Sequence, residues 1–441
     1  MTTSDADTTL GLDARHVWHP VPHAATALPQ NEAVAARGVE IEAADGRRYL
    51  DLVSSWWVNL HGHAEPTIAR AVAEQAARLE QVIFADFTHA PAARLAARLA
   101  GLLPGDLNRV FYSDDGSTAV EVALKMALQS WSNRGEPRPR LVAFEGGYHG
   151  DTVGAMSAGR GSGYFSAWEG LLFPVDQVPF PATWDGDDSV ETREAEALAA
   201  LERALVPEPR GGGAAVIVEP LIQGASGMRM CRPAFLRAVA ERVRRAGALL
   251  ILDEVMTGFG RTGATFACLK AGIEPDLVCL SKGLTGGFLP MGATVAREAL
   301  YQDFLGQTVE RAFLHGHSYT ANPLGCAAGL ASLDLLLGAA CQARLGAIEA
   351  IHRQRLDALA RRPDVARPRL CGTVAAFDVV GLDAAYGGAL GRRLKAEGLR
   401  RGLLLRPLGN VLYLLPPYCL TDDQAHRAWD GVEALLDGLA D

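Results

Sequence analysis

Apolar and polar positions along this chain change their period several times, and the changes mark out its elements. In an otherwise irregular first sixty residues, rich in Pro, His and Gly, short apolar runs near Val39–Ile41 and Tyr49–Leu52 flank Asp45-Gly46. That pair suits a tight turn, so the spacing predicts a hairpin. Pro66–Gln81 and Pro91–Leu103 carry alanine-rich helical periodicity with proline in the first turn. Arg109–Tyr112 reads as a short strand, and Ser117–Arg134 as a helix whose apolar face is Val120, Leu124, Ala127, Leu128 and Trp131. Strand-length apolar runs and helical stretches then alternate: Leu141–Phe144, Ala215–Val218, the helix Pro233–Ala246, Leu249–Leu252 and Leu277–Leu280. Alternation of this kind predicts an α/β fold, a mostly parallel sheet covered on both faces. Asp176–Ser189, with two prolines and four acids, reads as a loop, and Val206–Gly213 as a turn. After Ala321 the pattern changes. Helices over Pro323–Leu337, Ala343–Leu359, Leu390–Glu397 and Asp422–Leu439 accompany strands over Val374–Val380, Leu403–Arg406 and Val411–Leu415. That is an α+β block after an α/β block, with a boundary expected near residue 325.

Length and composition narrow the class. A chain of 441 residues with 49% hydrophobic content suggests two or three domains with ample core. A net charge of −9 argues against a nucleic-acid or anionic-membrane surface. The polar, acidic start MTTSDADTTL lacks the basic-then-apolar order of a secretion signal, and Pro323–Ala340 is interrupted by Asp334 and glycines, so no run reaches membrane-spanning length. Seven cysteines without a C-x-x-C pair read as reduced core residues of a cytoplasmic protein.

The chemistry concentrates in Ala248–Gly287. Two strand-length runs lead into Asp253-Glu254 and into Lys282, and the carboxyl ends of parallel strands form the crevice where ligands sit. A charged residue past an apolar run is ordinarily a solvated strand end. Lys282, however, lies between Ser281 and the glycine-rich Gly283–Gly287, small enough flanks for a flat ligand to approach. A lysine in such a pocket can lose its proton and form a Schiff base with a carbonyl. A carboxylate opposite would keep a pyridine nitrogen protonated, the electron sink of pyridoxal phosphate. Ser113–Thr118 joins a strand to a helix N-terminus and suits either a phosphate or an ordinary N-cap. Tyr148-His149-Gly150 offers an aromatic on a glycine-flanked loop. Neither His315-Gly316-His317 nor His61-Gly62-His63 is assigned a metal, because two histidines without an acid or cysteine cluster make no zinc site.

LLILDEVMTGFGRTG followed by LSKGLTGG resembles the core of the class III pyridoxal-phosphate-dependent aminotransferases. The resemblance runs from about Arg15 to the end. It implies the fold-type-I architecture, a large mostly parallel α/β domain (residues 61–325) and a smaller α+β domain (326–441), with residues 1–60 folding back onto the latter. It implies pyridoxal 5′-phosphate carried by Lys282, Asp253 at the ring nitrogen, Tyr148 over the ring face, and Gly116, Ser117 and Thr118 on the phosphate. Glu219 matches an acid at the family's cofactor pocket, and fits a structural ion pair equally well. HGHSYTANPLGCAA is similar to the segment whose hydroxyl, here Ser318, reaches the phosphate of the neighbouring subunit, which implies a homodimer with shared sites.

HVWHP with SSWW, and LRP with YLLPPY, resemble the branch of the family that works in biotin biosynthesis. That branch moves an amino group onto 8-amino-7-oxononanoate, usually from S-adenosylmethionine. The resemblance puts Trp56, Gly316 and Arg406 at the substrate, Arg406 gripping its carboxylate, and Arg261 at the cleft's edge. The branch commonly carries tyrosine directly after HxWHP; Val21 stands there. Lysine or another amine is therefore the alternative donor, and another ω-amino compound the alternative substrate.

Overall fold

The computed structural model describes residues 7–20, 28, 30–206, 212–380 and 387–439. The described part opens with a helix, Thr9–His16, that apolar spacing does not announce, because none of its side chains is buried. Strands β1 (Ala33–Arg37), β2 (Glu40–Ala43) and β3 (Arg48–Asp51) form an antiparallel meander, turning between β2 and β3 at Gly46 with φ +83°.

Seven strands build the central sheet. They are β4 (Leu107–Ser113), β5 (Arg140–Phe144), β6 (Asp176–Val178), β7 (Gly213–Val218), β10 (Leu249–Asp253), β11 (Leu277–Leu280) and β12 (Gly292–Arg297), in the order β4-β12-β11-β10-β7-β5-β6. Between β7 and β10 in the chain lies a small ribbon, β8 (Ile222–Gln223) with β9 (Arg229–Met230). Only β12 runs antiparallel to its neighbours. Alternate strand residues feed two separate apolar layers. Phe144, Val218, Leu252 and Leu280 face one, while Ala143, Ile217, Ile251 and Cys279 face the other. Burial on both faces is why these strands read as continuous apolar runs rather than alternating ones. The helix Gly116–Asn133 covers the second layer with Val120, Leu124, Ala127 and Trp131.

The remaining strands are β13 (Val365–Cys371), β14 (Val374–Val379), β15 (Leu403–Leu404) and β16 (Val411–Leu414). β13, β14 and β16 form an antiparallel sheet. β15 leaves it and pairs in parallel with β3, Leu403 opposite Leu50 and Leu404 opposite Asp51. Val39, Leu50 and Leu52 share an apolar cluster with Leu403, Leu412 and Trp429. No single described helix is long and apolar enough to cross a membrane.

Several expectations change. Asp176–Ser189 is not all loop: Asp176–Val178 forms the edge strand β6, too short for periodicity to reveal and pinned by Asp176 to Arg140 at 2.7 Å. β12 and the helix Val190–Leu205 were not expected, and the helix from Pro66 stops at Ala76 rather than Gln81. The strand expected over Leu403–Arg406 ends at Leu404, which releases Arg406 from the ladder. Most of the expected Val206–Gly213 turn lies outside the described residues; its last residue begins β7.

Candidate active site

The carboxyl ends of the parallel strands open onto one cleft of about 1060 Å³. Its lining brings together Lys282, Asp253, Tyr148, Gly116, Ser117, Trp56 and Arg406, which lie far apart in sequence. Each arrives on its own element: Gly116 and Ser117 after β4, Tyr148 after β5, Glu219 after β7, Asp253 at the end of β10 and Lys282 just past β11.

Lys282 opens a 3-10 turn with φ +44°, in the left-handed region that a side-chain-bearing residue rarely occupies. Such strain clusters at functional sites. The ammonium makes no hydrogen bond or ion pair among the described residues, and its Nζ lies 5.0 Å from the centre of the Trp57 ring. Burial pulls its pKa down, while the charges of Asp253 and Glu219 pull the other way. The net direction is down, toward a neutral amine.

Asp253 is buried and held on both oxygens. Oδ1 accepts the Val255 N–H at 3.1 Å, and Oδ2 lies 2.7 Å from His149 Nδ1. Burial alone would lower the His149 pKa, but the hydrogen bond and charge of Asp253 outweigh it, so the net direction is up. Glu219 is also buried. Its carboxylate accepts the Tyr148 and Gly224 N–H groups, both at 3.0 Å, and burial pushes its pKa up to about 7. Glu254, the next residue after Asp253, faces away from the cleft and accepts the Ala267 and Cys268 N–H groups at 2.7 and 2.8 Å.

The helix Gly116–Asn133 begins on a reciprocal cap. The Asp115 carboxylate accepts the Thr118 N–H at 2.8 Å, and Thr118 Oγ1 accepts the Asp115 N–H at 2.9 Å. Side-chain pairing at this turn leaves the first helical N–H groups for a ligand. A Cβ on Gly116 would stand 2.7 Å from Val255 Cγ1, so the backbone approaches more closely than any other residue would allow. Tyr148 stacks on Phe165, 6.0 Å between ring centres, and its hydroxyl donates to Asp151 at 2.9 Å.

Also in the lining, the Arg406 guanidinium lies 3.9 Å from the centre of the Trp56 ring. Arg406 has no ion pair among the described residues. Trp57 also lines the cleft, beside Lys282, but is buried, with its Nε1–H donated to Tyr413 OH at 2.9 Å.

Four expected site residues do not line this cleft. The Thr118 hydroxyl is spent on Asp115. Gly316 and Ser318 are exposed on a separate loop, where the Ser318 carbonyl accepts Gln81 Nε2–H at 2.7 Å and His317 Nδ1 meets Asp114 at 3.1 Å. Arg261 is not at the cleft's edge. It is fully buried and donates to the carbonyls of Pro416 and Asn59, both at 2.9 Å, because a guanidinium enclosed in the core needs acceptors there. Val21 lies outside the described residues. Sequence reasoning gave His149 no role; its position beside Tyr148 was the available signal, but nothing in the sequence connects it to Asp253.

A buried acid–histidine pair, an unpaired lysine and a helix N-terminus around one cleft are the features of a transaminase site, and the chain belongs to the class III aminotransferases. The family model, described as Aminotransferase class-III, matches residues 23–436. Among curated relatives, the adenosylmethionine-8-amino-7-oxononanoate aminotransferase of Synechococcus elongatus is 56% identical, covering 96% of this chain and 99% of its own. The crystal structure of the enzyme of that name from Methanocaldococcus jannaschii superposes with a TM-score of 0.89 at 31% identity, covering 97% and 98% of the two chains. An amine transaminase from an uncultivated Pseudomonas species, solved in its PLP-bound form, superposes with a TM-score of 0.87 at 32% identity, covering 96% and 98%.

Proposed function

We propose that this chain transfers an amino group from S-adenosylmethionine to 8-amino-7-oxononanoate, giving 7,8-diaminononanoate for biotin synthesis, with pyridoxal 5′-phosphate as cofactor. The observation that carries the reading is the presence of Lys282 and the unpaired Arg406 in one cleft. Lys282 supplies an amine for chemistry and Arg406 a fork for a carboxylate. The near full-length similarity to a relative of that name supports it.

The residues fit the cofactor group by group. The N-terminus of the helix Gly116–Asn133, with Ser117, suits its phosphate. Tyr148 suits its ring face, Asp253 its ring nitrogen, and Lys282 its aldehyde carbon. When bound, the cofactor supplies an electron sink for the carbon that loses its proton. Lys282 is the base that takes that proton and returns it, a role for which burial prepares the amine by favouring the neutral form. Asp253 would face the ring nitrogen, held in place because His149 and the Val255 N–H engage its two oxygens. Glu219 orients the Tyr148 loop through its backbone N–H. Trp56 gives an apolar wall for a methylene chain, and Arg406 meets its terminal carboxylate with two parallel hydrogen bonds.

Ser318 and Gly316 belong to this reading through a second copy of the chain. Both are exposed and neither lines the chain's own cleft, which supports a homodimer in which each Ser318 serves the neighbouring phosphate. Residues 61–325 are read as the cofactor-binding domain and 326–441 as the smaller one, with the described strands β1–β3 on the latter. The β3–β15 pairing supports that division. Seven free cysteines support a reducing, cytoplasmic setting.

The test adds one substrate at a time to the cofactor-loaded enzyme. S-adenosylmethionine alone should discharge the visible absorption band of the cofactor, and 8-amino-7-oxononanoate should then restore it. Discharge by lysine but not by S-adenosylmethionine would reject the donor, and failure of the keto acid to restore the band would reject the acceptor.

A further inference from the structure

Trp56 and Arg406 meet because of a register. β3 and β15 run parallel with Leu404 opposite Asp51, so the segments that follow them leave the sheet side by side. Arg406 comes two residues after its strand. Trp56 comes from a turn, Ser54–Trp57, in which Ser54, Ser55 and Trp57 have φ of +49°, +61° and +68°. None of the three is glycine, so the turn is strained and persists only if its surroundings over-determine it.

What over-determines it is Asp51. This carboxylate is fully buried and sits at the centre of four contacts. Oδ1 accepts the Val53 N–H at 3.2 Å. Oδ2 accepts the Ser55 N–H at 2.6 Å and the Ser55 hydroxyl at 3.0 Å, and lies 3.0 Å from His63 Nε2. His63 is itself tied to Gly38 by two backbone hydrogen bonds, at 2.7 and 3.1 Å. Asp51 does not line the cleft.

We propose that Asp51, backed by His63, is the positioning residue for carboxylate recognition. It holds the strained turn so that the Trp56 ring presents a face to Arg406, and the stacked guanidinium is kept extended and free for the substrate's carboxylate. The inference rests on the proposed reaction and adds the device that arms its carboxylate fork. Without Asp51 the Ser55 N–H loses its acceptor, the turn relaxes toward ordinary dihedrals, and Trp56 swings off Arg406. Lys282 itself stands on another strand, and Trp57, the residue of the turn that lies 5.0 Å from its Nζ, is anchored independently of Asp51 by its Nε1–H to Tyr413 OH at 2.9 Å, so the lysine end of the site should change less.

The experiment measures the two half-reactions separately on cofactor-loaded Asp51→Ala, Arg406→Ala and the double variant. Asp51→Ala should raise KM for 8-amino-7-oxononanoate about tenfold while leaving KM for the amino donor within about twofold. In the Arg406→Ala background the same substitution should add little, since residues acting through one interaction are not additive. The methyl ester of the keto acid, which carries no carboxylate charge, should respond to Asp51→Ala no more than the donor does. Should Asp51→Ala fail to fold, Asp51→Asn repeats the series. Its amide can serve Ser55 only by turning its NH₂ toward the Val53 N–H, so the same bias toward the acceptor is expected with a smaller size. Equal effects on donor and acceptor, additive effects with Arg406→Ala, or equal sensitivity of the ester would each overturn the inference. A wild-type enzyme that ignores 8-amino-7-oxononanoate would reject the proposed reaction and this inference with it. A wild-type enzyme that uses it, with any of those three results, rejects the inference alone.

Discussion

Replacing Glu254 by glutamine tests whether burial or hydrogen bonding governs the acids beneath the site. Glu254 is fully enclosed, and burial raises its pKa from the ordinary glutamate value of 4.5 to about 7 against the opposing pull of the Cys268 and Ala267 N–H groups. A folded-state pKa above the unfolded value means that the folded protein holds the proton more tightly. The resulting stability is fully present below the unfolded pKa and is lost as pH rises through the folded one. At about 1.4 kcal/mol for each pKa unit, this group alone should cost the protein about 3 kcal/mol between pH 4.5 and pH 8. Glutamine does not titrate, but its NH₂ must face one of the two N–H donors. At pH 5 Glu254→Gln should therefore be less stable than wild type by about 1–3 kcal/mol. By pH 8 the wild-type protein has lost what the variant never had, and the gap should close or reverse. Glu219 and His149 titrate in both proteins, so the difference between them isolates Glu254. Urea unfolding of the cofactor-free protein and its variant, stepped from pH 5 to pH 8, provides the measurement. A gap that stays constant or widens with pH would refute the reasoning, because the two N–H donors would then be keeping Glu254 ionised in the folded state.

Two further outcomes follow from the geometry. Gly116→Ala places a methyl against Val255, whose N–H holds Asp253, so it should destabilise the fold by about 1–3 kcal/mol and raise the cofactor dissociation constant about tenfold; urea unfolding and a cofactor titration read these, and an unchanged titration would show that the phosphate binds elsewhere. Mixing Lys282→Ala protein with Ser318→Asp protein should restore part of the activity that each lacks alone, since hybrid dimers contain one site with neither lesion; no recovery after verified subunit exchange would show that each site is built from one chain.

The sequence made the cleft legible at the strand ends and not between them. Asp253 and Lys282 stand where long apolar runs stop, and burial on both sheet faces is what makes those runs long, so fold and site shared one signal. β12 escaped because Gly-Ala-Thr-Val-Ala-Arg is weakly apolar, and its glycine is required by the Asp115 carbonyl, 2.1 Å from where a Cβ would stand. Asp253 and Glu254 read as one acidic end to a strand, yet the backbone sends the first into the cleft and the second toward Ala267. Adjacent residues on a strand face opposite ways, and which face holds the ligand is settled by packing rather than by the dipeptide. Arg261 shows the same limit from the other side. An arginine in a glycine-rich loop reads as a surface or cleft residue, and the carbonyls of Pro416, Asn59 and Trp57, distant in sequence, make its burial tolerable. Asp51 is the sharpest case. Its sequence neighbourhood, an acid ending a hairpin strand, is ordinary, and its importance arises from three non-glycine residues forced into left-handed dihedrals a few positions later. Strain of that kind has no compositional signature, because serine and tryptophan are not the residues such a turn prefers. A chain that keeps them there must hold them by contacts, and a buried carboxylate with four such contacts is the form the holding takes.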